Sequence, residues 1–405
     1  MVHIAGFFPE IISYLGIPII AALVGWGTNV LAIKMTFYPL EFKGIPPYFG
    51  WQGIIPTKAK SMAQKSVDMI TTKLIDIDEQ FQHIDSKQIA IEMGDSVEKL
   101  SIKIVDDVML AKAPVLWRSI PNSVREKIYA RSTQDLPKTI QKIFDEVKDN
   151  IEELFDIKAM VVESLVNDKT LLNEIFLECG KEEFKFVKKS GFYFGFLFGI
   201  IQMIIWYFFK AWWFLPAAGL LVGYVTNWIA LKLIFQPLKP VKIGPFTIQG
   251  LFIKRQQEVS VQYSKLVKEN IITSKNIFDA MLQGPKSEVL HEMMSEHIKG
   301  VVDYTAKEHQ GLIDLFYRPS KFEAIKNIAA YSFMEDFPIL VHKIYKYTEK
   351  SLDIEKTLQK KMAALPAKDF SGFLRPIFQE DEWKLITVGA VLGLVAGFLQ
   401  LVLLF

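Results

Sequence analysis

Cysteine, histidine and net charge are all scarce in this chain, and each scarcity removes a class of function. One cysteine, Cys179, in 405 residues excludes an intrachain disulfide framework and any zinc site of the multi-cysteine kind, so the soluble parts suit a reducing compartment. The six histidines offer little metal chemistry. His291, Glu292 and His297 superficially resemble a zinc-protease motif, but the histidines are six positions apart instead of four and fall on different faces of a helix. The 47 Lys and Arg nearly cancel the 45 Asp and Glu, and the resulting net charge of +2 is too small to point to nucleic acid. A glycine-rich phosphate loop, a nucleophile elbow and a motif around the cysteine are all missing. The chain is therefore expected not to be an enzyme, and to need neither metal nor cofactor.

What is present is apolar sequence interrupted by charge. Half of the residues (50%) are hydrophobic while 23% are charged, close to the roughly 25% of soluble proteins, so apolar spans and charged domains must alternate. Residues 11–37 form the first apolar run. The first ten residues lack the basic n-region of a signal peptide, so this run is expected to be a retained helix. As a helix it would be roughly 40 Å long, enough to cross a hydrocarbon core of roughly 30 Å with Lys34 emerging at the headgroups and Pro39 ending the helix. Residues 191–235 are too long for one crossing. They divide into spans 191–209 and 213–235 around Lys210, where Trp206, Tyr207, Trp212 and Trp213 suit a hairpin tip at the membrane surface. Residues 385–405 carry no charge and make a fourth span.

Basic residues fall on one side of these spans. Lys34, Lys43, Lys58 and Lys60 follow the first, Lys181, Lys185, Lys188 and Lys189 precede the second, and Lys232, Lys239, Lys242, Lys254 and Arg255 follow the third. The opposite ends hold only Lys210. The positive-inside bias predicts two cytoplasmic domains, 41–189 and 239–384, and both termini outside. Both domains read as helical. Ile140, Ile143, Phe144, Val147, Ile151, Leu154 and Phe155 step by three and four, as do Val289, Met293, Met294, Ile298, Val301 and Val302. Pro114, Pro121, Pro137, Pro319, Pro338 and Pro366 are expected to divide each domain into several helices. Residues 44–56 and 242–252 look less helical, and the alternation over 241–248 fits either a short hairpin or an irregular surface loop.

The two halves repeat each other. Pro18, Leu23, Val24, Gly25, Thr28, Asn29, Ala32, Lys34, Phe37, Pro39 and Leu40 recur as Pro216, Leu221, Val222, Gly223, Thr226, Asn227, Ala230, Lys232, Phe235, Pro237 and Leu238. At the same offset Gly191, Gly195, Gly199 and Gln202 meet Gly389, Gly393, Gly397 and Gln400. The expected fold is mainly α, with four transmembrane helices in two tandem parallel repeats, each holding a helical cytoplasmic domain between its two spans.

The paired stretches GWGTNVLAIKMTFYPL and GYVTNWIALKLIFQPL, with WQGIIPTKAKSMA, PFTIQGLFIKRQQEVS and FQEDEWKLITVGAVLGLVAGFLQ, resemble the YheB-like (DUF445/UPF0754-like) family of uncharacterised bacterial membrane proteins. The resemblance covers most of the chain and implies an inner-membrane protein with no assigned reaction. It carries over no catalytic residues. The strongly apolar central pair departs from the simplest family pattern, which has only an N-terminal and a C-terminal anchor.

Three groups of residues are candidates for function. Gly25, Thr28, Asn29 and Ala32, repeated as Gly223, Thr226, Asn227 and Ala230, form a small polar face expected to pack against another helix, the alternative being a transport or ligand site. Lys34 and Lys232 are expected to anchor the helices by reaching the interface, the alternative being a substrate contact. Lys58, Lys60, Lys254 and Arg255 sit just past the membrane and suit contact with lipid headgroups as well as a plain topology signal. The acidic run Glu380, Asp381 and Glu382, with Glu182 and Glu183 as rough counterparts, reads as a solvated junction. The favoured function is a membrane-anchored scaffold or binding protein. Its partners would be membrane lipid, proteins that bind the cytoplasmic domains and a second copy in a homo-oligomer. A small transporter or lipid-handling protein built on the Thr-Asn helices is the alternative.

Overall fold

A computed structural model describes residues 2–45, 49–307, 319–379 and 381–404. Glu380 and the last residue of the expected fourth span, Phe405, lie outside the described residues. Helix accounts for 84% of the structure, as a mainly α reading requires. The long elements are α1 (Val2–Phe37), α2 (Ser86–Lys112), α3 (Asn122–Asp149), α4 (Lys181–Phe208), α5 (Phe214–Phe235), α6 (Ser287–Lys307), α7 (Pro319–Leu352) and α8 (Glu382–Leu404). Short antiparallel hairpins follow α1 and α5: β1 (Lys43–Ile45) with β2 (Phe49–Trp51), and β3 (Val241–Ile243) with β4 (Phe246–Ile248). The alternation over 241–248 is thus a hairpin, with Val241 opposite Ile248.

Four helices are long and apolar enough to cross a membrane: Ser13–Phe37, Lys181–Phe208, Phe214–Phe235 and Glu382–Leu404. The second begins ten residues before the expected 191, because the helix continues through its charged first turns. Nothing in the backbone halts a helix at a hydropathy boundary.

By its contacts the chain gathers into two compact units, and these cut across the expected domain boundaries at 41–189 and 239–384. One unit comprises Met1–Ser66, Leu165–Leu266 and Gln359–Phe405, the other Val67–Ser164 and Val267–Leu358. Each unit draws on both halves of the sequence.

In the first unit α1 packs on α4 and α5 packs on α8. Gly25 lies against Gly191 and Pro18 against Gly199, while Gly223 lies against Gly389 and Leu215 against Gly397, so both pairs run antiparallel. At one end, Ile17, Trp206 and Leu215 form a buried cluster, with the Trp206 and Phe214 rings stacked at 6.2 Å.

The second unit is built from α2, α3, α6 and α7, with α2 against α3 and α7, and α6 against α3 and α7. The stripe Ile140, Ile143, Phe144 and Val147 is buried, as are Ile151, Leu154 and Phe155. Phe144 meets Phe278 and Phe337, bringing rings from both halves of the sequence into one core. On α6 the expected Met294 and Ile298 are buried together with Leu290, and Met293, Val301 and Val302 are half-buried, while Val289, expected inside, is 48% exposed. Pro137 and Pro338 lie inside α3 and α7 instead of ending them. Pro114 opens Pro114–Ser119 and Pro121 precedes α3, as helix-start prolines do.

Candidate functional site

The Thr-Asn face is built from backbone outward. Gly25 and Gly191 abut so closely that a Cβ on either would lie 2.3 Å from the carbonyl oxygen of the other. On the second helix pair, a Cβ at Gly223 would lie 2.1 Å from the Gly389 oxygen. Glycine is required at these positions because backbone meets backbone, as in small-residue helix seams. The approach brings each asparagine onto the neighbouring helix. Asn29 Nδ2 donates to Val187 O at 2.6 Å, and Asn227 Nδ2 donates to Leu385 O at 2.9 Å. Glycine at 191 and 389 also clears space for these amides, since a Cβ would fall 2.6 Å from Asn29 Nδ2 and 2.1 Å from Asn227 Nδ2.

The threonines bond within their own helices. Thr28 Oγ1 donates to Gly25 O at 3.1 Å, and Thr226 Oγ1 donates to Val222 O at 2.8 Å. Such bonds satisfy a hydroxyl inside an apolar helix and leave it uncommitted to any ligand. Ala32 and Ala230 are buried beside them. Asn29, Asn227, Ala32, Thr36, Phe184 and Leu385 contribute to the lining of one cavity of about 20 Å³. Lys34 and Lys232 do not line it. Both are exposed, and the Lys232 ammonium sits 4.3 Å from the centroid of the Trp228 ring, an arrangement suited to an interfacial anchor. Trp228 and Lys232 also line an open, largely apolar groove of about 580 Å³ with Gln236 and Pro237.

The chain leaving α1 and α5 turns in the same way twice. Tyr38–Pro39 and Gln236–Pro237 are cis. Gly53 N donates to Pro39 O at 2.9 Å and Gly250 N to Pro237 O at 3.0 Å, while Gln52 and Gln249 cap Leu40 O and Leu238 O. These turns deliver the basic residues, and here the sequence reading needs revision. Lys58 pairs with Asp381 at 2.7 Å, and Arg255 pairs with Glu183 at 2.7 Å. The carboxylates are almost wholly buried, with side-chain exposures of 5% and 2%. Each pair joins a cation from one half of the sequence to an acid from the other. Asp381, expected in a solvated junction, is held by Lys58 and by Lys384 at 2.8 Å. Burial opposes its charge, but the two ammonium groups outweigh this and keep its pKa below the ordinary aspartate value. For Arg255 burial likewise works against the charge, and Glu258 and Glu183 more than offset it. A side chain committed to a buried carboxylate is not available to a lipid phosphate, so the expected headgroup cluster of four narrows to Lys60 and Lys254, which are exposed.

Cys179 is fully buried, and its thiol is pushed up to about 12, first by burial and then by Glu178 and Glu183. It is chemically quiet at neutral pH. In the second unit, His297 Nε2 lies 2.6 Å from Glu146 Oε2, in an open groove of about 730 Å³ between α3 and α6 that Asp135, Lys142 and Glu296 also line.

No family model matches the chain, and no solved structure matches it. Among curated proteins it is 29% identical over 107 residues to a UPF0754 membrane protein of Staphylococcus epidermidis, covering 25% of this chain and 28% of that one. It is 39% identical over 62 residues to UPF0754 membrane proteins of Bacillus cereus, covering 15% of this chain and 16% of theirs. The alignments thus span less than a third of the length of these relatives. Over those stretches the chain is homologous to the UPF0754 membrane proteins of Staphylococcus and Bacillus, the group its sequence resembles.

Proposed function

We propose that the chain is a membrane-anchored scaffold or binding protein in which two tandem parallel repeats hold helical segments at the cytoplasmic leaflet, with both termini outside. The observation that carries this reading is the closure of the Thr-Asn face. Backbones meet at glycine, threonines bond to their own helices, asparagines cap neighbouring carbonyls, and the cavity that remains has a volume of only about 20 Å³. That is the volume of a single small molecule and not of a conduit. In support of the repeats, the amide bonds, the turns closed by Gly53 and Gly250, the hairpins and the buried ion pairs each occur twice at matching positions. The lysine asymmetry supports the orientation. Exposed Lys60 and Lys254 suit contact with an anionic leaflet, and the charged helices of the second unit suit protein partners.

Transport has one observation in its favour, the asparagine pair on the cavity. The two readings separate in vesicles of phosphatidylethanolamine and phosphatidylglycerol carrying the purified protein. Proton, sodium and potassium flux, and exchange of a fluorescent phospholipid between leaflets, are expected to stay at the level of protein-free vesicles. A flux that Asn29→Leu or Asn227→Leu abolishes would overturn the scaffold reading.

A further inference from the structure

We propose that the cavity between Asn29 and Asn227 is a binding site for one water molecule, which donates a hydrogen bond to each amide oxygen and so links the two halves of the sequence inside the first unit. The inference begins with what each amide has left to offer. Both Nδ2 groups are committed to backbone carbonyls, Val187 O and Leu385 O, which fixes the orientation of each amide. The remaining atoms are Asn29 Oδ1 and Asn227 Oδ1. Both are buried and neither has a hydrogen-bond partner among the described residues. The side chains themselves are 0% and 3% exposed. Both line the same cavity, the rest of whose wall is largely apolar: Ala32, Ile33, Leu231 and Ile234 contribute to it, and the Thr36 hydroxyl donates to Ala32 O at 2.9 Å.

The two side chains share the lining of one small space, and two oxygens that only accept cannot bond to each other. A buried amide oxygen strongly favours finding a donor, so the occupant must donate twice. The volume of about 20 Å³ exceeds the roughly 10–15 Å³ that a single water requires and leaves no room for a larger solute. Water has two protons for the two oxygens. A hard cation fits less well, because it would seek about six oxygen ligands and the site supplies two neutral ones. The duplication of the Thr-Asn sequence thereby gains a purpose that packing alone does not give it: each copy supplies half of a site that is complete only when both are present.

The test uses the full-length protein in lipid nanodiscs, with a density map fine enough to resolve ordered water. A peak within hydrogen-bond distance of both Oδ1 atoms is expected. It should vanish in Asn29→Leu and in Asn227→Leu alike, since the water needs both oxygens. Thermal midpoints provide a second reading: each single change should lower the midpoint, and the double change should lower it by less than the sum of the two. A map in which either oxygen is met by a protein donor, or in which no peak lies between them, overturns the proposal. So does a peak that grows markedly stronger when the sample is prepared in rubidium salt, which would make it a cation site, and so do strictly additive midpoints. If the leucine variants do not fold, the wild-type map alone decides. The outcome is independent of the vesicle flux, because a bound water is compatible with either functional reading.

Discussion

Gly25→Ala and Gly223→Ala are each expected to destabilise the detergent-solubilised protein by about 1–3 kcal/mol, the usual cost of forcing one extra carbon into a well-packed interior. The added methyl at Gly25 would meet Gly191 O at 2.3 Å, and at Gly223 it would meet Gly389 O at 2.1 Å. Carbonyl oxygens within helices cannot rotate aside as side chains do, so the helices must separate and the asparagine bonds beside the contact must lengthen. The control is on the same helix. Gly27 has nothing within 4 Å of a built Cβ, and Gly27→Ala should be neutral or stabilising by up to about 1 kcal/mol through helix propensity. Thermal unfolding midpoints of the three variants distinguish a seam from a general intolerance to change. Equal losses at positions 25 and 27 would contradict the close-contact account.

Removing a cation from one of the buried ion pairs should have the largest effect of any single charge change. Arg255→Met leaves Glu183, with a side chain 2% exposed, without its ion-pair partner. Deleting one member of a buried pair costs about 3–5 kcal/mol. Adding Glu183→Gln should recover much of that loss, because the uncompensated charge is gone. Lys58→Met should cost less than Arg255→Met, because Asp381 retains Lys384 at 2.8 Å. Denaturant midpoints for the three variants check the order. Small and equal effects for Lys58→Met and Arg255→Met would mean that the carboxylates are solvated in the working protein.

The helices that could cross a membrane were legible because hydropathy and length act locally. Glycine spacing and the Thr-Asn repeat likewise marked a packing face, since small residues every four positions make a flat stripe wherever they occur in an apolar helix. The identity of the partner carbonyls, Val187 and Leu385, was not legible. It depends on how far one helix slides along the other, and periodicity carries no information about that. The ion pairs were missed for a related reason. Lys58 and Arg255 sit next to exposed Lys60 and Lys254, so all four read as one basic cluster. Only the folded chain separates them, by bringing Asp381 and Glu183 from the other half of the sequence. A sequence signal existed, since acids before the second and fourth spans occupy matching positions, as do cations after the first and third. Grouping by contacts was also beyond reach, because α2 meets α7 and α3 meets α6 across more than a hundred residues of chain.

The most direct measurement of the central claim, a membrane anchor presenting helical segments on the cytoplasmic side, is cysteine accessibility in intact cells. With Cys179→Ser as background, single Lys210→Cys, Lys142→Cys and Lys350→Cys variants are treated with a membrane-impermeant maleimide before and after permeabilisation. All three positions are exposed in the folded chain, so access depends on the membrane alone. Lys210→Cys should be labelled in intact cells, and Lys142→Cys and Lys350→Cys only once the membrane is opened. Labelling of either of the latter two from outside would contradict the account.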